Sequence, residues 1–436
     1  MSSGLDGKLQ KLGYDIVHVG QFDLNGLFRE RRLRRDQFLA WAQDPRFANV
    51  IAHWGAGENL FGGGPYISEE VDIDDTSLRQ FGFEEKSCAV IMDFSGFSAD
   101  YMPRNVLKKQ IQRAADMGYE VDAAFEFEAI FLDETSDSLR AAGFAHPAQF
   151  AADNKCWSGT TAAEKAEFVT AWEQALLAHG IDVFSVAGEL GPGCFEATLG
   201  KATGLKAADD ASFFRLASRA FARQRGLTAC FMPSLGPDYP GIGGHMTLSL
   251  KDKKSGENLF SSTNGSTNAL ACQFIAGMTK IVPEAFALCA HTVNAYRRFA
   301  PGTWAPKSVG WSEWAFTTAV RSAPASNDSA RLEFRLPGTD CNTHATMALM
   351  LGAGLDGIEQ DLIATEPNEH AGPDDVTGTP LPRDLFEAAQ RLRASADATR
   401  LFGEAFVTNF ATFCEEEFKS LAREVSDAER RRYLEG

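Results

Sequence analysis

The eight cysteines of this 436-residue chain are scattered, and no two form a CxxC pair. Zinc-ribbon spacing is therefore missing. The apolar neighbours of Cys230 and Cys289 read as reduced core positions, not a disulfide framework. No apolar run reaches transmembrane length. The start, Met1 to Asp6, lacks the basic-then-apolar layout of a signal peptide. The glycine-rich stretch Gly55-Ala56-Gly57 to Gly62-Gly63-Gly64-Pro65 has no following Lys-Ser/Thr, so it is not a P-loop. Positive charge is in deficit: 42 Lys and Arg against 59 Asp and Glu leave a formal net charge of -17. That balance argues against nucleic acid or an anionic membrane as partner. There is no internal repeat and no low-complexity tract. With 44% apolar and 23% charged residues the composition is that of a soluble globular protein, and a cytoplasmic enzyme is expected.

What is present centres on Ala123 to Leu132, an apolar run of strand length interrupted by Glu126 and Glu128. In a strand, i and i+2 share a face. Two anions buried side by side need neutralising, and oxygen-bound divalent cations do this. A solvent-facing amphipathic strand is the alternative. Further acids flank a Gly191-Pro192-Gly193 turn that folds Glu189 and Glu196 toward each other as a hairpin. A loop from Gly236 to Gly244 delivers His245 to a strand, Met246–Leu250. Ser329–Leu336 alternates, so Arg331, Glu333 and Arg335 share a face and need charged partners. Around these lie an acidic turn at Asp72–Asp75 and a helix from Pro103 to Gly118. A helix over 162–179 follows, then one over 209–226 with an Arg-rich outer face. A buried strand, 227–233, precedes helices at 269–282 and 283–290. Helical segments at 344–365, 383–400 and 402–434 close the chain, with a connecting loop at 366–382. A domain boundary is placed near residue 100.

Taken singly these signals are weak; their order is specific. The chain resembles the glutamine synthetase superfamily from about residue 14 onward. The resemblance rests on Asp23-Leu24-Asn25-Gly26, Pro103-Arg104-Asn105, Glu126-Phe127-Glu128 and Glu189 through Glu196. It continues in Cys230–Pro233, Gly241 through His245, Asn258–Phe260, Thr292 through Gly302, Arg331–Arg335 and Ala353–Ile358. It implies an α+β fold: a small N-terminal β-grasp domain over 1–100 and a large catalytic domain over 101–436, with an antiparallel sheet and helices. It implies a homo-oligomeric ring, a dodecamer in the family pattern, with active sites between subunits. The substrates would be glutamate, ATP and an amine. Two or three Mg²⁺ or Mn²⁺ ions per site would be held by Glu128, Glu189 and Glu196 on one side and by Glu126, His245 and Glu333 on the other. Arg298, Arg335 and Gly241 would hold glutamate. Ser249, Arg321 and Arg331 would meet ATP, with the four arginines serving catalysis. Thr247 stands where the family has a second histidine.

The departures concern the amine. The flap pattern Pro-Gly-Phe-Glu-Ala-Pro becomes Pro301-Gly302-Thr303-Trp304-Ala305-Pro306, and a phosphate-side arginine becomes Phe316. The Asp-Gly-Ser-Ser loop that helps capture ammonium has no clear equivalent. An apolar amine, neutral at pH 7, fits Trp304 and Phe316 as a pocket, which points toward aniline-like substrates and γ-glutamylanilide synthetases. The alternatives are an alkylamine or polyamine ligase, ordinary glutamine synthetase activity, and a catalytically inactive binding homologue.

Overall fold

The computed structural model describes residues 2–435 apart from 152, 154, 237, 238, 370, 371 and 373. Parts of two expected loops (236–244 and 366–382) therefore lie outside the described residues.

Two sheets organise the chain. Strands β1 (Ile16–Phe22), β2 (Phe28–Arg34), β3 (Arg46–Ala48), β4 (Ser68–Gln80) and β5 (Ser87–Phe94) form the first, in the order β2-β1-β5-β4-β3. β1 and β5 run parallel, and the other neighbours antiparallel. The second sheet holds β6 (Tyr119–Leu132), β7 (Val183–Gly188), β8 (Cys194–Leu199), β9 (Ala202–Thr203), β10 (Thr228–Cys230) and β11 (Gly244–Asp252). After the short β12 (Ser308–Val309), it is completed by β13 (Trp311–Glu313), β14 (Val320–Ala323) and β15 (Arg331–Phe334). Its main path is β13-β14-β15-β11-β6-β8-β7, antiparallel except for the parallel pair β13–β14. The fold is α+β, as the motif order leads one to expect.

The sheet-to-helix core is built on strand alternation. Phe125 and Phe127 point inward from β6, stack at 5.7 Å, and Phe127 continues onto Phe214 at 5.4 Å. Phe214 lies on the helix Leu205–Gln224, whose apolar face is buried. The helices Ala269–Ala285 and Thr343–Glu359 meet at Gly277 and Gly357, where a Cβ on Gly277 would stand 2.7 Å from the Gly357 nitrogen. Salt bridges join the first sheet to the rest. Arg104, in the first turn of the helix Pro103–Asp116, is buried among Asp74, Asp93 and Asp209, and Arg79 pairs with Asp210 at 2.8 Å.

Several local expectations are corrected. Asp72–Asp75 is not a turn but part of β4, because Arg104 neutralises Asp74 and a shift of register at 74–79 absorbs the irregularity. The helix over 205–224 does not keep its arginines outside: Arg215 is buried, donating to the Thr339 carbonyl at 3.3 Å. Pro283 does not start a new helix. It sits in the last turn of Ala269–Ala285, where it forgoes one i→i−4 hydrogen bond, and only a 3₁₀ turn follows. The 162–179 segment is two helices, Gly159–Glu164 and Ala166–Leu177. Segments 383–400 and 402–434 each divide in two as well. The buried strand over 227–233 shortens to β10, and an N-terminal helix, Ser2–Leu12, joins the expected elements. No helix among the described residues is long and apolar enough to cross a membrane.

Candidate active site

Strand register places the acids. With Phe125 and Phe127 turned inward, Glu126 and Glu128 emerge together on the opposite face of β6. β11 sets His245 directly across from Glu126 on one side, and β8 sets Thr198 across on the other. One step along, Glu128 faces Glu196. β15 brings Glu333 opposite Thr247, two residues beyond His245 on the same face, and β14 places Arg321 opposite Glu333. Glu189 closes the β7–β8 hairpin, its N–H donating to the Cys194 carbonyl at 2.9 Å. The isolated acids of the sequence are thus a cross-strand ladder on one face of one sheet.

Ligand atoms of Glu126, His245 and Glu333 lie within 4.8 Å of one another. His245 Nδ1 is 3.2 Å from Glu126 and 3.8 Å from Glu333, while its Nε2 is 3.3 Å from Arg298 Nη2. The Thr198 hydroxyl donates to Glu126 at 3.0 Å. Burial, helped by Arg335, lowers the pKa of His245, so the ring is neutral and fit to ligate. Glu128 and Glu196 behave oppositely. Burial and neighbouring carboxylates push Glu128 up to about 7 and Glu196 up to about 9. A group of buried acids that resist ionising together is what a divalent cation relieves. Oxygen donors plus one imidazole suit Mg²⁺ or Mn²⁺, so the residues present fit such ions.

The arginines lie beside this ladder. Arg321 and Arg335 both donate to Glu333. Their guanidinium carbons lie 4.3 and 5.4 Å from the Phe316 ring centroid, and Arg335 Nε donates to the Phe316 carbonyl at 2.7 Å. Phe316 therefore seats the two arginines, which its sequence position alone did not reveal. Arg298 is buried and held by the carbonyls of Leu336 (2.9 Å) and Arg335 (3.2 Å). Burial draws its pKa down to about 10. Gly241 packs on it: a Cβ there would stand 2.8 Å from Arg298 Cγ. Arg331 is exposed and donates to the Ser329 carbonyl at 3.0 Å. Ser249 and Arg331 line a cavity of about 660 Å³ whose inner wall includes Glu126, His245 and Glu333. Trp304 stands apart, 63% exposed on the turn 301–306. That turn is tied down by the Thr303 hydroxyl to the Arg298 carbonyl (3.0 Å) and by Lys307 Nζ to the Ala305 carbonyl (2.9 Å). Two contacts go beyond the sequence reading. Cys156 Sγ lies 3.2 Å from Glu189, and Thr339 Oγ1 donates to the Glu128 carbonyl at 2.6 Å. Neither belongs to a pattern that periodicity reveals.

Comparison with known proteins gives the class: the chain is an ATP-dependent carboxylate–amine ligase. The glutamine synthetase catalytic-domain profile matches residues 100–433, so the chain belongs to the glutamine synthetase family. A glutamate–isopropylamine ligase from a Pseudomonas species is 28% identical, with 98% of this chain and 96% of that protein aligned. A glutamate–methylamine ligase from Methyloversatilis universalis is 30% identical over 77% of this chain and 77% of its own length. The solved structure of GmaS without ligand superposes with a TM-score of 0.86 at 24% identity, covering 99% of both chains, and establishes the fold.

Proposed function

We propose that this chain joins the γ-carboxyl group of glutamate to an apolar, aromatic amine of the aniline type. The reaction runs through γ-glutamyl phosphate and gives a γ-glutamylamide. The observation that carries the choice of amine is Trp304, an indole 63% exposed where the ammonium-using pattern has a glutamate. An arylamine is neutral at pH 7 and needs neither a cation site nor a strong base before attack. The bare face of an indole offers it burial and ring contact.

Arg298 and Arg335, with Gly241 giving backbone access, hold the two carboxylates of glutamate. Arg321 and Arg331 hold the phosphates and the transferring group, and Ser249 meets the nucleotide. Glu128, Glu189 and Glu196 form one divalent-cation site; Glu126, His245 and Glu333 form the other. When bound, the cations screen the repulsion between ATP and the attacking carboxylate. In the first step a γ-carboxylate oxygen forms a bond to the γ-phosphorus and ADP leaves. In the second the amine nitrogen forms the amide bond, phosphate leaves, and one proton is lost from nitrogen. Residues 1–100 act as a separate N-terminal domain and 101–436 as the catalytic domain, in a ring of subunits.

A second reading is favoured by the relatives themselves, since the ligases named above act on isopropylamine and methylamine. Phosphate release from ATP with glutamate and Mg²⁺ separates the two across ammonium, methylamine, isopropylamine, putrescine and aniline. Turnover with aniline and little with ammonium supports the proposal. Preference for isopropylamine replaces it with the alkylamine reading. Ammonium as the best substrate ends both.

A further inference from the structure

The cavity that opens from Glu126, His245 and Glu333 has one feature that the proposed phosphate and cation contacts leave unused. Phe184 lines it and is 81% exposed. It is the only Phe, Tyr or Trp on the described lining of this cavity, His245 being the other ring. Its exposure has a backbone cause. On β7, Val183 pairs with Leu199 and Ser185 with Thr198, so two steps on β7 oppose one step on β8. Phe184 is the extra residue of this β-bulge. Bulges re-aim a side chain that regular pleating would commit to the sheet face. Leaving a phenyl ring in water forgoes its burial and calls for an occupant.

The surroundings indicate which occupant. The inner end of the cavity carries Arg321 and the three residues that would hold a divalent cation, and that cation together with the guanidinium would suit a polyphosphate. Beside the ring, Lys201 is already committed: it pairs with Asp328 and lies 3.2 Å from Asp122. Lys251 is committed in the same way, 2.7 Å from Asp122, and Arg331 is an exposed cation of this lining, donating to the Ser329 carbonyl. A cavity of about 660 Å³ with charge inside and a bare aromatic face outside matches a nucleoside triphosphate laid base outward. We infer that Phe184 is the stacking platform for the purine base of the nucleotide and sets base affinity, separately from the arginines that hold the phosphates. This rests on the ligase reading of the site.

The test compares ADP and inorganic pyrophosphate binding, by calorimetry with Mg²⁺ present, in wild type, Phe184→Ala and Phe184→Tyr. A base stacked on an aromatic ring supports a loss on the order of 5- to 100-fold on removal of the ring. The expected result is such a loss for ADP in Phe184→Ala, unchanged pyrophosphate binding, and recovery in Phe184→Tyr. Phe184→Trp adds a direct signal, quenching of its fluorescence by ADP. ADP affinity in Phe184→Ala within twofold of wild type overturns the inference. So does a changed oligomeric state with nucleotide affinity intact, since Phe184 is then a subunit contact. Absence of ADP binding by the wild type overturns the ligase reading beneath it, so the two failures are distinguishable.

Discussion

Replacing Trp304 by alanine removes the surface on which the aromatic-amine proposal depends. The indole is 63% exposed, so of the roughly 250 Å² that a tryptophan can bury, about 160 Å² is open. A single aryl ring covers about half of that, roughly 80 Å². At about 25 cal/mol per Å² this contributes about 2 kcal/mol, close to 30-fold in kcat/KM. Ammonium has no apolar surface to lay on the ring and loses little. The assay is phosphate release with aniline and with ammonium as varied substrate at saturating ATP and glutamate. The expected outcome is an approximately 30-fold fall for aniline alone. The complementary variant, Trp304→Glu, restores a carboxylate to the flap position and shifts relative kcat/KM toward ammonium. The reasoning is refuted if aniline turnover falls less than threefold, or if both amines fall together, because the turn then serves catalysis in general.

Divalent-cation binding at pH 7 is expected to release about 1.5 protons. Glu196, at about 9, is then almost fully protonated and Glu128, at about 7, half protonated. Both folded-state values are raised, so cation affinity climbs with pH until about 9 and falls below neutrality. Calorimetry in buffers of differing ionisation enthalpy reads this, Glu196→Gln lowers the count by one, and buffer-independent heats contradict it. Asp209→Asn takes one of three carboxylates from buried Arg104 and should cost about 3 kcal/mol in urea unfolding. Arg104 holds Asp209 below the ordinary range against burial. The stabilisation is therefore present above the unfolded value near 4 and is lost as pH falls. The wild type should lose stability more steeply with acid than the Asn variant, and equal slopes would count against this network.

The pairing of Glu126 with Glu128 was legible because strand alternation is a local property of β6, and the buried Phe125 and Phe127 that alternate with them mark which face is inward. The hairpin carrying Glu189 and Glu196 was legible for the same reason, through its Gly-Pro-Gly turn. The partnership of His245 with Glu126 is different. Their 119-residue separation is closed by the β6–β11 register, which no local pattern encodes, and only the resemblance anticipated it. Misreadings fell where a tertiary partner overrides composition. Asp74 sits in a strand because Arg104 reaches it, and Arg215 lies inside because Thr339 and Phe127 receive it. Phe184 reads as an ordinary strand residue, since one extra residue in β7 leaves no trace in periodicity. The same limit applies to Phe316, whose role as a seat for Arg321 and Arg335 depends on β14 and β15 lying side by side.

The most direct test of the central claim is a competition read by mass spectrometry. The enzyme, Mg²⁺, ATP and glutamate are given equimolar ammonium, isopropylamine and aniline in one vessel, and the initial products are weighed against each other. γ-Glutamylanilide as the dominant product is the result expected here. Predominant glutamine or γ-glutamylisopropylamide would contradict the assignment of Trp304 to an aromatic amine.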